Sequence, residues 1–150
     1  MLMSFLQNLA AKCRPFLPLF LRLSLGFVFF WSGLSKIVAP ESALGVCTNR
    51  GEAIDLVSTF YWLPFDPTMF VWVQSVLELL LGASLLVGFW VPLASAVAVL
   101  VFLLFFVLLD FSLVWKNVGL LGASLALLAS QPDKFSLDSW LKRRQIGKQI

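Results

Sequence analysis

Residues 16–37 read FLPLFLRLSLGFVFFWSGLSKI, and this stretch is apolar and long enough to cross a lipid bilayer. About 20 residues at a rise of 1.5 Å per residue match a hydrocarbon core roughly 30 Å thick. Five of its residues follow one another at steps of three and four and so share one helix face: Arg22, Gly26, Phe29, Gly33 and Lys36. A charge is costly in lipid, and glycines let a neighbouring helix approach closely. This helix face is therefore predicted to point into the protein, with other helices packed around it.

The composition predicts an all-α integral membrane protein with a single domain over residues 1–150. Of the 150 residues, 60% are hydrophobic and 13% are charged. The chain has no histidine, which excludes histidine-ligated haem, the usual copper and di-iron sites, and a histidine acid–base relay. Two cysteines, Cys13 and Cys47, cannot hold an iron–sulfur cluster unaided. No motif for a cofactor, a metal or nucleic acid is recognisable, and the apolar composition makes the lipid bilayer the expected partner.

Four apolar stretches predict a four-transmembrane-helix bundle, with spans at about residues 16–37, 68–90, 92–109 and 117–130. A short amphipathic helix is predicted in the first outer loop, because apolar residues recur after Asn49. The tail, residues 131–150, is basic. Positive charges at both ends and negative charges in the first loop predict cytoplasmic termini, in a bacterial inner membrane. The tail is interpreted as an anchor on an anionic leaflet or as a docking site for a partner.

Glu78 is the acidic residue that lies well within a predicted span, about ten residues into the second one. Gln74 and Gly82 share its helix face. A carboxylate at this depth must be paired, solvated or protonated. The long side chain of Arg22 could reach Glu78 if the two polar faces meet.

A second polar cluster is predicted toward the outer end of the bundle, formed by Lys36, Asp110, Lys116 and Asn117. Two interpretations remain open for these charges. They are internal ion pairs that fix the packing of four helices, or they line a polar cavity that opens outward and receives a small molecule or a quinone headgroup.

The sequence LLGASL occurs twice, at residues 80–85 and at residues 120–125. It is either a coincidence of apolar sequence or a pair of matched small-residue sites. In the second case Gly82 and Gly122 would both be helix-packing positions.

Several of these segments, in this order, resemble DoxX-like (DoxX/DoxD) membrane proteins: residues 22–26, 31–37, 63–64, 78–82, 86–88, 110, 116–117, 120–122 and 136–138. The resemblance implies a four-helix membrane bundle. Members of the family include a subunit of a thiosulfate:quinone oxidoreductase and partners of redox-stress complexes. A redox role would make this chain a quinone-facing or accessory subunit, with quinone as its cofactor, rather than a complete enzyme.

Three functions follow as alternatives. The first is an accessory or quinone-facing subunit of a membrane oxidoreductase system, which would have a soluble or membrane redox partner. The second is a small-solute carrier that acts as a homo-oligomer, because four spans are few for alternating access. The third is a non-catalytic membrane scaffold. Catalytic residues cannot be assigned from the sequence.

Overall fold

The computed structural model describes residues 2–38, 45–47, 53–55, 64, 67–108, 117–130 and 133–146. These residues are almost entirely helical, as the sequence predicts, with strands of three residues each. The helices are α1 (Leu2–Cys13), α2 (Leu17–Val38), α3 (Pro67–Val87), α4 (Val91–Leu108), α5 (Asn117–Ala129) and α6 (Leu137–Ile146). A 3-10 turn, Arg14–Phe16, joins α1 to α2, and the strands are β1 (Gly45–Cys47) and β2 (Ala53–Asp55).

Helices α2–α5 pack into one bundle. The most extensive contact is between α2 and α3; α4 packs on α5, and contacts of α2 with α5 and of α3 with α4 join the two pairs. The buried apolar residues come from all four helices: Leu25, Phe29, Leu85, Val91, Ala94, Ala98, Phe102 and Leu127. The rings of Phe29 and Phe102 lie 5.2 Å apart, so aromatic packing links α2 to α4.

The outer surface of the bundle is strongly apolar. Large side chains such as Phe27, Leu80, Leu100 and Leu125 are exposed on the four helices, and exposed apolar surface of this extent is typical of contact with lipid or protein. In the described part of the chain, one helical segment, Met3–Val38, is long and apolar enough to cross a membrane by length and composition. Trp72–Val87, Val91–Val107 and Asn117–Ala129 are shorter apolar helices, so the four-span arrangement remains a prediction.

The connection between α2 and α3 differs from the prediction. Strands β1 and β2 pair antiparallel, with Gly45 opposite Asp55 and Cys47 opposite Ala53. The predicted short helix is therefore wrong over Ala53–Asp55, and the remainder of that prediction lies outside the described residues. A short apolar run fits a strand as well as a helix, and β-branched Val46 and Ile54 favour the strand.

The turn between α3 and α4 holds the C-terminal helix in place. Gly88 and Trp90 both have positive φ, at 78° and 50°, and the Asp138 backbone N–H donates to the Gly88 carbonyl at 3.1 Å. In return, the Asp138 carboxylate accepts the backbone N–H groups of Trp90 and Val91, each at 2.9 Å. The carboxylate thus caps the start of α4 and fixes α6 to the turn.

Candidate functional site

Three glycines bring α2 and α3 into backbone contact. A Cβ atom on Gly26 would lie 3.0 Å from the backbone nitrogen of Leu86, and one on Gly33 would lie 2.5 Å from the backbone nitrogen of Leu79. Gly82 faces α2 in the same way, with backbone atoms of that helix within 3 Å of its Cβ position. A larger residue would clash with backbone at Gly33 and Gly82 and would be crowded at Gly26, so these glycines allow the two helices their short separation.

A polar cluster lies beside this glycine contact, on facing sides of α2 and α3. The Glu78 carboxylate accepts hydrogen bonds from Ser32 Oγ and Lys36 Nζ on its Oε2 atom, both at 2.7 Å. Gln74 Nε2 donates to Glu78 Oε1 at 3.0 Å. Ser32 and Lys36 are one helical turn apart, as are Gln74 and Glu78, so each helix contributes a matched pair. We call these four residues the Glu78 cluster.

The members of the Glu78 cluster differ in their burial. The Glu78 side chain is 5% exposed, whereas the Lys36 side chain is 15% exposed. The carboxylate therefore sits inside the bundle and the ammonium lies closer to its edge. An ammonium has three N–H donors, and Glu78 accepts one of them. The cluster can therefore hold a charge inside the apolar bundle and offer a donor to a polar group nearer the surface.

Arg22 does not contact Glu78, which corrects the pairing that the sequence suggests. Its Nε atom donates to Asp133 Oδ2 at 2.9 Å, and its Nη1 atom donates to the backbone carbonyls of Leu85 and Leu86, both at 2.7 Å. The reason is the antiparallel packing of α2 and α3, which places the start of α2 against the end of α3. Leu85 lies seven residues beyond Glu78, or roughly 10 Å along the helix.

The Arg22–Asp133 pair is more deeply buried than the Glu78 cluster, with side chains that are 3% and 2% exposed. Asp133 is further held by its own segment, because its Oδ1 atom accepts the Phe135 N–H and its carbonyl accepts the Ser136 and Ser139 hydroxyls. The pair thus joins α2, the end of α3 and the segment that leads into α6.

Sequence reasoning missed Asp133 and Ser32. Asp133 follows Pro132 just after the last apolar stretch and looks like a loop residue. Ser32 lies four residues before Lys36, on the predicted interior face, so helical spacing could have indicated it. Asp138 lies in the segment 136–138 that resembles the DoxX-like proteins, but its capping of α4 depends on contacts that are distant in sequence.

The predicted outer-end cluster is described only in part. Lys36 belongs to the Glu78 cluster, and Asn117 is the first residue of α5, while Asp110 and Lys116 lie outside the described residues. Gly122 differs from the other predicted packing glycines, because no described atom lies within 4 Å of its Cβ position. It lies on an exposed face of α5, so the LLGASL repeat marks a close helix contact in α3 but not in α5.

No metal site is formed by the described residues, among which there is no cluster of three or more histidine, cysteine, aspartate or glutamate side chains. Buried ion pairs between apolar helices in close glycine contact are typical of helical membrane proteins.

The model of the DoxX family matches residues 17–110, and the chain belongs to that family. The matched range contains α2, α3, α4 and every residue of the Glu78 cluster. Family membership supports the assignment as a DoxX-like membrane protein. No curated protein and no solved structure matches the chain.

Proposed function

We propose that this chain is an accessory, quinone-facing subunit of an oxidoreductase system in the bacterial inner membrane, with both termini in the cytoplasm. The observation that carries the proposal is the Glu78 cluster, a buried carboxylate whose partner Lys36 lies nearer the edge of the bundle. Intramembrane ionisable residues mark functional sites by default. The DoxX family, as noted from the resemblance, includes a subunit of a quinone-linked oxidoreductase.

In this proposal Lys36 donates one hydrogen bond to Glu78 and another to a carbonyl oxygen of the quinone. Glu78 orients the Lys36 ammonium, while Ser32 and Gln74 fix the carboxylate. The apolar outer faces of α2 and α3 would contact the isoprenoid tail. Because the sequence offers no haem, flavin or cluster motif, a partner protein would supply the electrons and this chain would position the quinone.

A second candidate, a non-catalytic scaffold, is supported by one observation. Every buried side-chain nitrogen or oxygen in the described residues has a hydrogen-bond partner, and the Glu78 carboxylate already accepts three hydrogen bonds. Satisfied internal pairs can serve helix packing alone. The experiment must therefore separate ligand retention from stability.

The test measures the quinone extracted from purified protein, together with the free energy of unfolding. Lys36→Met removes the proposed donor. Asp133→Asn is the control, because it disturbs the ion pair at the other end of α2, which Arg22 forms with the segment that leads into α6. We expect wild-type protein and Asp133→Asn to retain quinone and Lys36→Met to lose it.

Two results would contradict the quinone-facing role. If wild-type protein, purified gently, carries no quinone and binds none when it is added, the scaffold is favoured. If Asp133→Asn and Lys36→Met lose quinone in proportion to their loss of stability, the retention reflects general folding and not the Glu78 cluster.

A further inference from the structure

We propose that the groove between α6 and the α3–α4 turn binds the headgroup of an anionic phospholipid. The groove is open to the outside and has a volume of about 540 Å³. Residues from the turn, the start of α4 and one side of α6 line it: Trp90, Pro92, Leu93, Asp138, Leu141, Lys142 and Gln145. This site is separate from the Glu78 cluster and does not depend on the proposed quinone role.

The wall contributed by the turn and α4 is apolar and aromatic. Trp90 is 61% exposed, Leu93 is also exposed, and the Trp90 ring stacks on Phe89 at 5.1 Å. Trp90 adopts a left-handed backbone conformation, which is unfavourable for a residue with a Cβ. The hydrogen bonds that the Trp90 and Val91 backbone N–H groups donate to Asp138 stabilise this conformation. The result is an outward-facing tryptophan at the end of the apolar helices, where membrane proteins place aromatic residues at the headgroup level.

The groove is lined by one carboxylate, Asp138, and one ammonium, Lys142, so its formal charges balance. Both carboxylate oxygens of Asp138 accept backbone N–H groups at the start of α4, so its negative charge is directed to that helix end. Lys142 lies one turn further along α6 and lines the groove.

The neighbouring cations of α6 are held against the helix itself. Arg143 donates to the carbonyls of Ser139 and Lys134, and Arg144 lies 4.0 Å from the centre of the Trp140 ring. Lys142 is therefore the cation placed to meet a phosphate in the groove, and the two arginines add to the positive surface potential around it.

The occupant that fits both walls carries a negative headgroup and an acyl chain. The groove lies where α3 ends and α4 begins, so a lipid seated there could place its phosphate at Lys142 and its chain along exposed Leu93. A free anion would use the cation but would gain nothing from the apolar wall. Basic residues near a membrane surface attract anionic lipid by about 1 kcal/mol each.

The experiment titrates purified protein in a neutral detergent with short-chain phosphatidylglycerol, short-chain phosphatidylcholine or inorganic phosphate. The midpoint of thermal unfolding reports binding, because a ligand that binds the folded state raises it. We expect phosphatidylglycerol to stabilise the wild type most. Lys142→Gln should weaken its apparent affinity about fivefold, the equivalent of about 1 kcal/mol.

Lys134→Gln is the matched control, because Lys134 is an exposed lysine of the same segment that does not line the groove. It should leave the apparent affinity close to that of the wild type. A second variant, Leu93→Ser, should weaken the response to phosphatidylglycerol and leave the midpoint without lipid nearly unchanged, since Leu93 is exposed.

Three outcomes would overturn the proposal. Equal stabilisation by phosphatidylcholine would show that negative charge is not recognised. Equal stabilisation by inorganic phosphate would show a simple anion site without a lipid contribution. An equal loss in Lys134→Gln and Lys142→Gln would show that the general charge of the segment, and not the groove, attracts the lipid.

Discussion

Replacing Gly33 by alanine tests the packing that positions the Glu78 cluster. The new Cβ would lie 2.5 Å from the Leu79 nitrogen and 2.6 Å from the Ser75 carbonyl oxygen, whereas ordinary contact begins at 3.4 Å. The obstructing atoms belong to backbone, so no side chain can rotate away. Relief requires α2 and α3 to separate by about 0.9 Å, the difference between 3.4 and 2.5 Å.

Overpacking a tight contact costs about 1–3 kcal/mol, and rigid backbone neighbours favour the upper end of this range. Alanine is a better helix former than glycine by about 1 kcal/mol, which offsets part of the loss. We therefore expect Gly33→Ala to lower the free energy of unfolding by about 2 kcal/mol. The same separation would stretch the hydrogen bonds from Ser32 and Lys36 to Glu78, so the amount of quinone that we propose the protein retains should fall as well.

The assay is unfolding of the purified protein by titration with a denaturing detergent. Gly119→Ala in α5 is the control, because no described atom lies within 4 Å of its Cβ position. It should be neutral or stabilising by up to about 1 kcal/mol. If Gly33→Ala is as stable as Gly119→Ala, then α2 and α3 are not in backbone contact and the arrangement of the cluster is wrong.

Three further predictions concern the ends of the bundle. Asp133→Asn leaves the Arg22 guanidinium without its buried carboxylate and should cost about 3–5 kcal/mol in the same assay; a loss below about 1 kcal/mol would mean that water reaches this pair. Asp138→Asn weakens the cap of α4 and should cost about 1 kcal/mol while speeding proteolysis of α6, and an unchanged cleavage rate would argue against the docking of α6. In intact cells, an impermeant maleimide should label Cys47 and not Cys13, as the charge distribution predicts; the opposite pattern would invert the topology.

The interior face of α2 was predictable because its signal is local. Arg22, Gly26, Phe29 and Gly33 recur at helical spacing, and all four are buried in the structure. Spacing alone identifies such a face, since residues three and four apart lie on one side of a helix. The family was predictable for a related reason: it is recognised from several short motifs and their order, both of which are properties of the sequence alone.

The ion-pair partners were not predictable, because they depend on how helices are offset and on contacts distant in sequence. Arg22 and Asp133 are separated by 111 positions, and no periodicity connects them. The choice between Arg22 and Lys36 as the partner of Glu78 depends on the register of α2 against α3. The predicted helix over Ala53–Asp55 was wrong for another reason: a run this short has no periodicity that distinguishes a helix from a strand.

The Arg22–Asp133 and Lys36–Glu78 ion pairs lie at opposite ends of the α2–α3 contact, and their cations differ in burial and in the number of groups that they bind. Arg22 and Lys36 are 14 positions apart, or roughly 21 Å along the helix. Arg22 is bound to a carboxylate and two carbonyls and is 3% exposed, and its partner Asp133 belongs to the segment that docks α6. The Arg22–Asp133 pair therefore holds the segment that leads into α6 against the helix bundle. Lys36 is bound to one described carboxylate and lies nearer the surface. Of these two cations, Lys36 is therefore the one placed to meet the proposed quinone, and substitutions at the Arg22 end separate a loss of folding from a loss of binding.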